Sequence, residues 1–316
     1  MLPFAFTGCK KDENVIKINE VTHSVFYAPM YLAEALGYYE DEGISVELTN
    51  GGGADTTMAA VLSGGADVGF CGPEAVIYTY LGGSEDQPKV FGQLTKRDGS
   101  FLVGRTKEAN FDWSSLTGKE VLAGRPGGVP LMTFQYVCKN ATATPSYITE
   151  VKFDSMTAAF KGGVGDYCTM FEPTASDYEA SGDGYIVASV GAQAGEIPYT
   201  CYMAKSSYIK ENPEKIESLL RAITKATKYI METDVAEVAK KLEGYFPNTS
   251  VDSIKKSLKS YKDIDAWVDN MAMKESSFTR LQDVIELAGE LERRVAFGDI
   301  VLTETADKVY REVYKK

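Results

Sequence analysis

The sequence predicts an α/β protein of two similar lobes that share one ligand cleft. Two segments about a hundred residues apart, 64–74 and 162–173, carry this prediction. In each, a glycine pair ends a short helix, an aspartate opens an apolar strand, and a Glu/Pro pair starts the next helix. Open α/β sheets bind ligands beyond the carboxyl ends of their strands. Both strand-to-helix corners are therefore expected to face a common cleft.

Length and composition indicate a globular protein of two domains. The chain has 316 residues, of which 44% are hydrophobic and 25% charged, and this length exceeds a usual single core. The net charge of −12 argues against nucleic-acid binding and is typical of a solubilising surface. No apolar run reaches the roughly 18–20 residues of a membrane span. The single histidine argues against a histidine-rich metal site, and we expect neither a metal nor a cofactor.

The first residues resemble the end of a bacterial lipoprotein signal. A short apolar patch leads to Thr7-Gly8-Cys9, and charged residues follow at once, as they do around a lipidated cysteine. The segment lacks the basic start and the full apolar stretch of such signals. We expect residues 1–14 to be a signal remnant and linker with a lipid on Cys9; a chance Gly-Cys pair is the alternative.

The other four cysteines are predicted to be free buried thiols. Their positions show no C-x-x-C spacing, which argues against a metal site or a disulfide framework, and a free cysteine behaves as a small hydrophobic residue. The four are Cys71, Cys138, Cys168 and Cys201.

Strands that alternate with short helices predict βαβ units and largely parallel sheets. The strands are predicted over 16–21 and 44–48. A first helix starts at Pro29, and a second is capped by Asp55 with Met58, Val61 and Leu62 inward. The first repeated corner and a helix to Leu81 follow.

The chain is predicted to cross between the lobes twice. Apolar strands over 90–94 and 101–104 flank the first crossing at 96–99, and the second lies at 195–199. Between them, strands over 120–123 and 186–190 and a helix from Pro130 to Val137 belong to the second lobe. The predicted domains are therefore 15–99 with 200–316, and 100–199.

The last third of the chain is predicted to be helical. Asn212 and Pro213 start one helix, and Asp234 with Glu237 has the spacing of a capping box. Apolar residues recur at helical spacing and are predicted to be core: Ile216, Leu219, Leu220, Ile223 and Ile230 on one helix, and Phe278, Leu281, Ile285, Ala288 and Leu291 on another.

Four segments in this order resemble the periplasmic-type substrate-binding proteins of ABC importers. They are His23 to Ile44, Leu62 to Gly69, Leu116 to Val121, and Gly165-Asp166 with Glu172-Pro173. The branch they resemble most serves nitrate, sulfonates, taurine and thiamine-pyrimidine precursors (NMT1/THI5-like). The resemblance covers roughly residues 16–310 and implies a type II two-lobe fold, with the cleft between lobes joined by two crossing segments.

The resemblance also implies a function outside the membrane. Such a protein captures a small solute and delivers it to a cognate permease, without catalysis. We expect a monomeric, extracytoplasmic lipoprotein of the Gram-positive type that is held to the membrane through Cys9.

Two glutamates at the repeated corners bear on the chemistry of the solute. If Glu74 and Glu172 both face the closed cleft, they repel an anion and favour a ligand with amino or amidine donors. The alternative is that each lies in the first turn of a helix and only complements the helix dipole. Gly72 and Pro73 of the first corner are predicted to contact the solute together with Glu74.

Aromatic residues near the predicted cleft favour a flat solute. Phe26, Tyr27 and Tyr199 lie in turns, and flat heterocycles bind between such rings. We expect at least one of the three to contact the ligand.

His23 and a glycine-rich turn leave two questions open. His23 follows the first strand and is either a structural residue or a ligand contact, and no G-x-S-x-G motif accompanies it to support a hydrolase. Arg125, Gly127 and Gly128 precede a helix and can offer hydrogen-bond donors to a polar group of the solute.

Three functions remain open at this point. The first is a receptor for a planar amino-bearing heterocycle, such as a thiamine-pyrimidine precursor. The second is a receptor for an oxyanion such as a sulfonate, taurine or nitrate. The third is an enzyme similar to the pyrimidine-precursor synthases that share this fold; their cysteine-rich iron motif does not occur in the sequence.

Overall fold

The computed structural model describes residues 14–315, so the prediction for Cys9 lies outside the described residues. Ten strands in this range form two five-stranded sheets. The strands are β1 (Val15–Glu20), β2 (Ser45–Asn50), β3 (Val68–Cys71), β4 (Pro88–Thr95), β5 (Ser100–Gly104), β6 (Glu120–Leu122), β7 (Ser146–Tyr147), β8 (Tyr167–Phe171), β9 (Tyr185–Ser189) and β10 (Thr200–Lys205). The strand order is β2-β1-β3-β10-β4 in the first sheet and β7-β6-β8-β5-β9 in the second.

Both sheets are mixed. In the first, β1 is parallel to β2 and β3, whereas β10 is antiparallel to β3 and β4. In the second, β6 is parallel to β7 and β8, whereas β5 is antiparallel to β8 and β9. The prediction of largely parallel sheets is wrong for β5 and β10. Each of these strands follows a crossing from the other sheet, so no helical crossover forces it to run parallel to its neighbours.

The described helices surround these sheets. They are α1 (Ala28–Ala35), α2 (Tyr38–Asp41), α3 (Ala54–Ser63), α4 (Glu74–Leu81), α5 (Val129–Asn140), α6 (Met156–Lys161), α7 (Thr174–Ala180), α8 (Val190–Ala194), α9 (Ser206–Glu211), α10 (Pro213–Glu232), α11 (Val235–Leu242), α12 (Val251–Asp263), α13 (Glu275–Leu287), α14 (Phe297–Ile300) and α15 (Glu304–Tyr314). The predicted apolar stripe of α10 is buried, and this helix packs against α1 and α15. On α13, Phe278, Leu281 and Ile285 are buried as predicted.

The repeated corner has the same construction in both sheets. Asp67 accepts a hydrogen bond from the backbone N–H of Lys17 on β1 at 2.8 Å, and Asp166 accepts one from Glu120 N–H on β6 at 2.9 Å. Each aspartate thus ties the start of its strand to the neighbouring parallel strand. Pro73 and Pro173 then occupy the N-cap positions of α4 and α7. The two corners differ in that Glu74 follows its proline, whereas Glu172 precedes Pro173 in a cis peptide bond.

Three helix details differ from the predictions. Gly53, and not Asp55, is the N-cap of α3, since the helix begins at Ala54; Asp55 lies in the first turn and its carboxylate bonds to Arg125. Leu62 is 40% exposed, since it lies beyond the face of α3 that packs on β3. Asn212 is the N-cap of α10, but its side chain donates to Tyr208 O and caps no backbone N–H.

The chain passes between the sheets after β4 and again after β9. The strands of 15–95 and 200–205 lie in one sheet and those of 100–189 in the other; the exact bounds of the two lobes stay a prediction. We call the two halves the first and second lobe. Helix α13, from the last third of the chain, packs against α5 of the second lobe, and Ser277 bonds to Glu196. This packing differs from the predicted assignment of all of 200–316 to the first lobe.

Other predictions concern the thiols and the membrane. Cys71, Cys138, Cys168 and Cys201 are free and buried, as the sequence predicts. Within residues 14–315, no helix has the length and apolar character needed to cross a membrane. The same range contains no cluster of three or more His, Cys, Asp or Glu residues arranged to hold a metal ion.

Candidate functional site

A cavity of about 1020 Å³ lies between the two lobes. The first lobe contributes the residues after β1, the corner after β3 and the segment from Tyr245 to Thr249. The second lobe contributes the turn before α5, the segment from Thr149 to Asp154 and the corner after β8. The predicted site residues that line this cleft are His23, Tyr27, Gly72, Glu74, Gly128, Glu172 and Tyr199. Contact with a solute remains a prediction for each of them.

Three predicted site residues do not line the cleft. Phe26 is fully buried and lies behind the wall, where its ring packs 4.8 Å from Tyr261 and 5.9 Å from Tyr199. Pro73 is buried as the N-cap of α4. Gly127 lines a smaller neighbouring cavity, and its carbonyl accepts a hydrogen bond from the Tyr78 hydroxyl at 3.3 Å.

Glu74 is a buried carboxylate with an unused oxygen. Its side chain is 4% exposed, and Oε2 has no hydrogen-bond partner among the described residues. Burial raises the pKa of Glu74 to about 7, and the charge of Arg125 and nearby backbone N–H groups, including that of Val129, partly oppose the shift. The carboxylate folds back over Gly72, where a Cβ would collide with it. Glu74 thus lines the cleft with an unused acceptor at an oxygen that is itself buried.

Glu172 is equally buried, but its oxygens are occupied. Oε2 accepts from Ser176 N–H at 3.0 Å, and Oε1 accepts from the hydroxyls of Ser176 and Ser260, both at 2.8 Å. Ser176 lies in the first turn of α7 and Ser260 lies on α12, so the carboxylate caps one helix and joins it to another. This arrangement favours a structural role for Glu172 and leaves Glu74 as the more available acceptor.

Both ring nitrogens of His23 face hydrogen-bond acceptors. Nδ1 lies 3.0 Å from Glu20 Oε1, and Nε2 lies 2.9 Å from the carbonyl oxygen of Tyr245. The hydrogen bond with Glu20 raises the pKa of His23 above its ordinary value, and burial opposes that shift. Tyr31 donates to the other oxygen of Glu20 at 2.5 Å. His23 thus connects the end of β1 to the Tyr245–Thr249 segment of the cleft wall.

An ion pair crosses the cleft between the lobes. Arg125 Nη2 lies 2.8 Å from Asp55 Oδ1, and this contact lowers the pKa of Asp55. The guanidinium lines the cleft beside Glu74. The backbone N–H of Gly128 donates to Arg125 O at 3.3 Å, so this predicted donor is already used within its own turn. Helix α5 starts without a side-chain cap.

Aromatic rings form one wall of the cleft. Tyr27 and Tyr199 are 4% and 5% exposed, and Phe171 lies 6.3 Å from Tyr199 between ring centroids. Phe26 supports this layer from behind. Such a wall can stack against a flat ligand.

Sequence reasoning missed two segments of the wall, Thr149–Asp154 and Tyr245–Thr249. Neither belongs to a repeated corner, and each reaches the cleft only through the packing of distant parts of the chain. The turn-forming composition of Phe246-Pro247-Asn248-Thr249 identifies a loop but not its place in the fold. Phe153 lines the cleft and is 43% exposed. This exposed aromatic side chain marks the segment as part of the wall, but its exposure is known only from the structure.

Two mixed α/β sheets with a cleft between them define a two-lobe clamp of the periplasmic-binding-protein fold. In agreement, the solved ligand-binding component of an ABC-type import system from Staphylococcus aureus superposes with a TM-score of 0.74. The comparison covers 94% of this chain and 99% of that one at 15% sequence identity, which shows the fold alone.

The chain belongs to the family described as NMT1/THI5 like, whose model matches residues 25–236. YtlA of Bacillus subtilis, a protein named as a candidate binding protein, is 37% identical over 98% of this chain and 95% of its own length. The 4-amino-5-hydroxymethyl-2-methylpyrimidine phosphate synthase of Aspergillus parasiticus is 27% identical over 70% of this chain and 66% of that enzyme. The predicted family resemblance is thereby confirmed.

Proposed function

We propose that the chain is the extracytoplasmic solute-binding component of an ABC importer and captures a small, flat, amino-bearing heterocycle. The observation that carries the proposal is the unpartnered, buried oxygen of Glu74 at the cleft wall. A buried acceptor without a partner is costly, and a ligand N–H supplies the missing hydrogen bond. A cationic or strongly polarised amino group does so most favourably, because charge-assisted hydrogen bonds are the stronger ones.

The surroundings of Glu74 favour an amine over an oxyanion. Helix α5 points its uncapped N-terminus toward this region, where an anion would be stabilised. The Glu74 carboxylate already lies near the Val129 N–H at that end. An oxyanion placed there would meet a second negative charge at short range in a partly desolvated cleft.

The aromatic wall supports a planar ligand. Tyr27, Phe171 and Tyr199 present rings along one side of the cleft, while Glu74 lies at the first corner. A flat heterocycle can stack on the rings and direct an amino group to the carboxylate. An aminopyrimidine related to thiamine precursors has this combination, and a pyrimidine synthase is among the relatives.

An oxyanion solute is the second candidate. Arg125 and Lys152 line the cleft, and either could pair with a sulfonate. Arg125 is already paired with Asp55, which reduces the charge it can offer. We therefore rank this candidate below the amine.

Binding without turnover is part of the proposal. The two ring nitrogens of His23 are hydrogen-bonded to Glu20 and to the Tyr245 carbonyl. Neither nitrogen is therefore free to relay a proton to a substrate. Delivery of the intact solute to a permease, anchoring through Cys9 and a monomeric state complete the proposed role.

The test is a panel of aminopyrimidines, taurine, sulfonates and nitrate, read by thermal shift and by mass spectrometry of the recovered ligand. We expect an aminopyrimidine to raise the melting temperature most, because a ligand of the folded state stabilises by mass action, and to be recovered unchanged. A larger shift with an oxyanion would reverse the ranking of solutes. Turnover that disappears in His23→Ala would show an enzyme.

A further inference from the structure

A second cavity, of about 330 Å³, adjoins the cleft. Its wall is mostly apolar, and we call it the apolar annex after the side chains that form it: Met58, Ala59, Leu62, Ala75, Tyr78 and Pro126. Helices α3 and α4 of the first lobe form one side, and the turn before α5 forms the other. The annex, like the cleft, is therefore formed between the lobes.

The annex and the cleft share part of their walls. Ala54, Glu74 and Arg125 line both cavities. Gly53 faces the cleft next to the Asp55–Arg125 ion pair, since a Cβ on this glycine would lie 2.7 Å from Asp55 Oδ1 and 3.5 Å from Arg125 Nη2. Asp55 itself lines only the annex. The two cavities thus adjoin at Glu74, with the ion pair beside the junction.

The exposure of Leu62 is a second observation that points to a ligand. It is a large apolar side chain that remains 40% exposed, although helix α3 places the residues one turn away, such as Met58, in the core. Leu62, Met58 and Tyr78 present a hydrophobic surface to a cavity that the lobes leave open. Burying such a surface against an apolar group is favourable, whereas burying it against a charged group is not.

We propose that the apolar annex is a subsite for an apolar substituent of the same solute whose amino group meets Glu74. The inference rests on the proposed function and narrows it: the solute is an amino-bearing ring with an alkyl or aryl arm. Glu74 fixes the point from which the arm departs, because this residue is common to both cavities.

The test compares 4-aminopyrimidine with its butyl derivatives substituted at C2, C5 or C6, by calorimetry on the full chain. We expect one isomer to bind at least about tenfold more tightly than the parent ring, as buried methylenes contribute to affinity. Ala59→Phe should fill the annex and abolish this gain while leaving affinity for the parent ring unchanged. Thr56→Phe is the matched control on the exposed side of α3, and Leu62→Asn is a second variant that makes the annex polar.

The outcomes separate this inference from the proposed function. If the parent ring binds but no butyl isomer binds more tightly, the annex is not a subsite and the amine receptor stands. If the gain persists in both Ala59→Phe and Leu62→Asn, the arm lies elsewhere and the inference is wrong. If none of the aminopyrimidines binds, the proposed function fails and the inference fails with it.

Discussion

At the residue scale, the clearest difference in hydrogen bonding is that between Glu74 and Glu172, whose sequence positions look equivalent. The sequence places two glutamates at equivalent corners, and either could contact a ligand or complement a helix dipole. The structure separates them, because Glu172 has three hydrogen-bond donors and Glu74 Oε2 has none among the described residues. This difference depends on Ser260, which is 88 residues from Glu172 along the chain, so the local sequence could not predict it.

The raised pKa of Glu74 predicts a pH-dependent affinity. Benzamidine stays cationic between pH 6 and pH 8, so the change in this range should come from the protein. With a pKa of about 7, Glu74 ionises as the pH rises, and affinity for benzamidine should increase about tenfold. Calorimetry at several pH values measures this. Glu74→Gln should remove most of the increase and leave only the part that comes from His23, which also lines the cleft and loses its charge as the pH rises through its raised pKa. Asp98→Asn should leave the whole increase in place, because Asp98 has a similarly raised pKa of about 7 but lines neither cavity.

The same shift predicts that Glu74 lowers the stability of the empty protein at high pH. Its pKa in the folded state lies above the ordinary value of 4.5, so the folded protein retains a proton that the unfolded chain releases. Stability should therefore fall as the pH rises from about 4.5 to 7. At pH 8, Glu74→Gln should increase the free energy of unfolding by up to roughly 3 kcal/mol. Equal free energies of unfolding for the unaltered protein and Glu74→Gln at pH 8 would contradict the claim that burial disfavours the ionised Glu74 carboxylate.

His23 gives a second prediction at this scale. Because it is the only histidine in the chain, NMR can follow its titration without assignment. Glu20 raises the pKa of His23, so the measured value should lie above 6.5, and Glu20→Gln should lower it. The stabilising contribution of the pair should be lost as the pH rises through the folded-state pKa. A measured pKa below 6.5 in the unaltered protein would contradict the arrangement with Glu20 and Tyr245.

At the element scale, the repeated strand-to-helix corner was predictable from the sequence, and the structure shows the contacts that explain its pattern. A glycine pair followed within three residues by an aspartate marks the start of a strand in both lobes, and the structure shows why an aspartate is suited there, since Asp67 and Asp166 each bond to a neighbouring strand. Amphipathic stripes such as that of α10 were predictable for a similar reason, because spacing along one helix decides which face is buried. Pairing with Arg125 changed the role of Asp55, and such a contact cannot be read from one segment.

The corner aspartates should contribute similarly to stability. Asp67→Ala and Asp166→Ala each remove one acceptor from a backbone N–H at the start of a strand. We expect each to lower the free energy of unfolding by about 1–2 kcal/mol in urea titrations. Both bonds are exposed, so water can replace part of the interaction. A loss confined to one of the two variants would show that the corners are not equivalent.

At the scale of the whole molecule, several contacts hold the lobes together. Asp55 pairs with Arg125, Ser253 donates to Asp177 at 2.8 Å, and Ser260 donates to Glu172. Each contact joins residues from opposite sides of the cleft. Two-lobe folding was predictable from the two crossings, whereas the packing of α13 on α5 was not, because it brings a distant helix against the second lobe.

The exposed Asp55–Arg125 ion pair should contribute only modestly to the contact between the lobes. Asp55→Asn removes one charge of a pair whose side chains are 69% and 48% exposed, and such pairs contribute about 1 kcal/mol or less. We expect the affinity for aminopyrimidines to fall by a factor of about five or less, measured by calorimetry, whereas oxyanions should lose less affinity because Arg125, which lines the cleft, is freed to pair with them. A much larger loss of aminopyrimidine affinity would instead indicate that Asp55 contacts the solute.

Calorimetric comparison of 4-aminopyrimidine and nitrate, an oxyanion without an amino group, tests the central claim most directly, with the unaltered protein and with Glu74→Gln. The account predicts one aminopyrimidine per chain, little affinity for nitrate, and a loss of about 1.5–3 kcal/mol of aminopyrimidine binding in Glu74→Gln, the range for a hydrogen bond to a charged group. Tighter binding of nitrate than of aminopyrimidine, or unchanged aminopyrimidine affinity in Glu74→Gln, would contradict it.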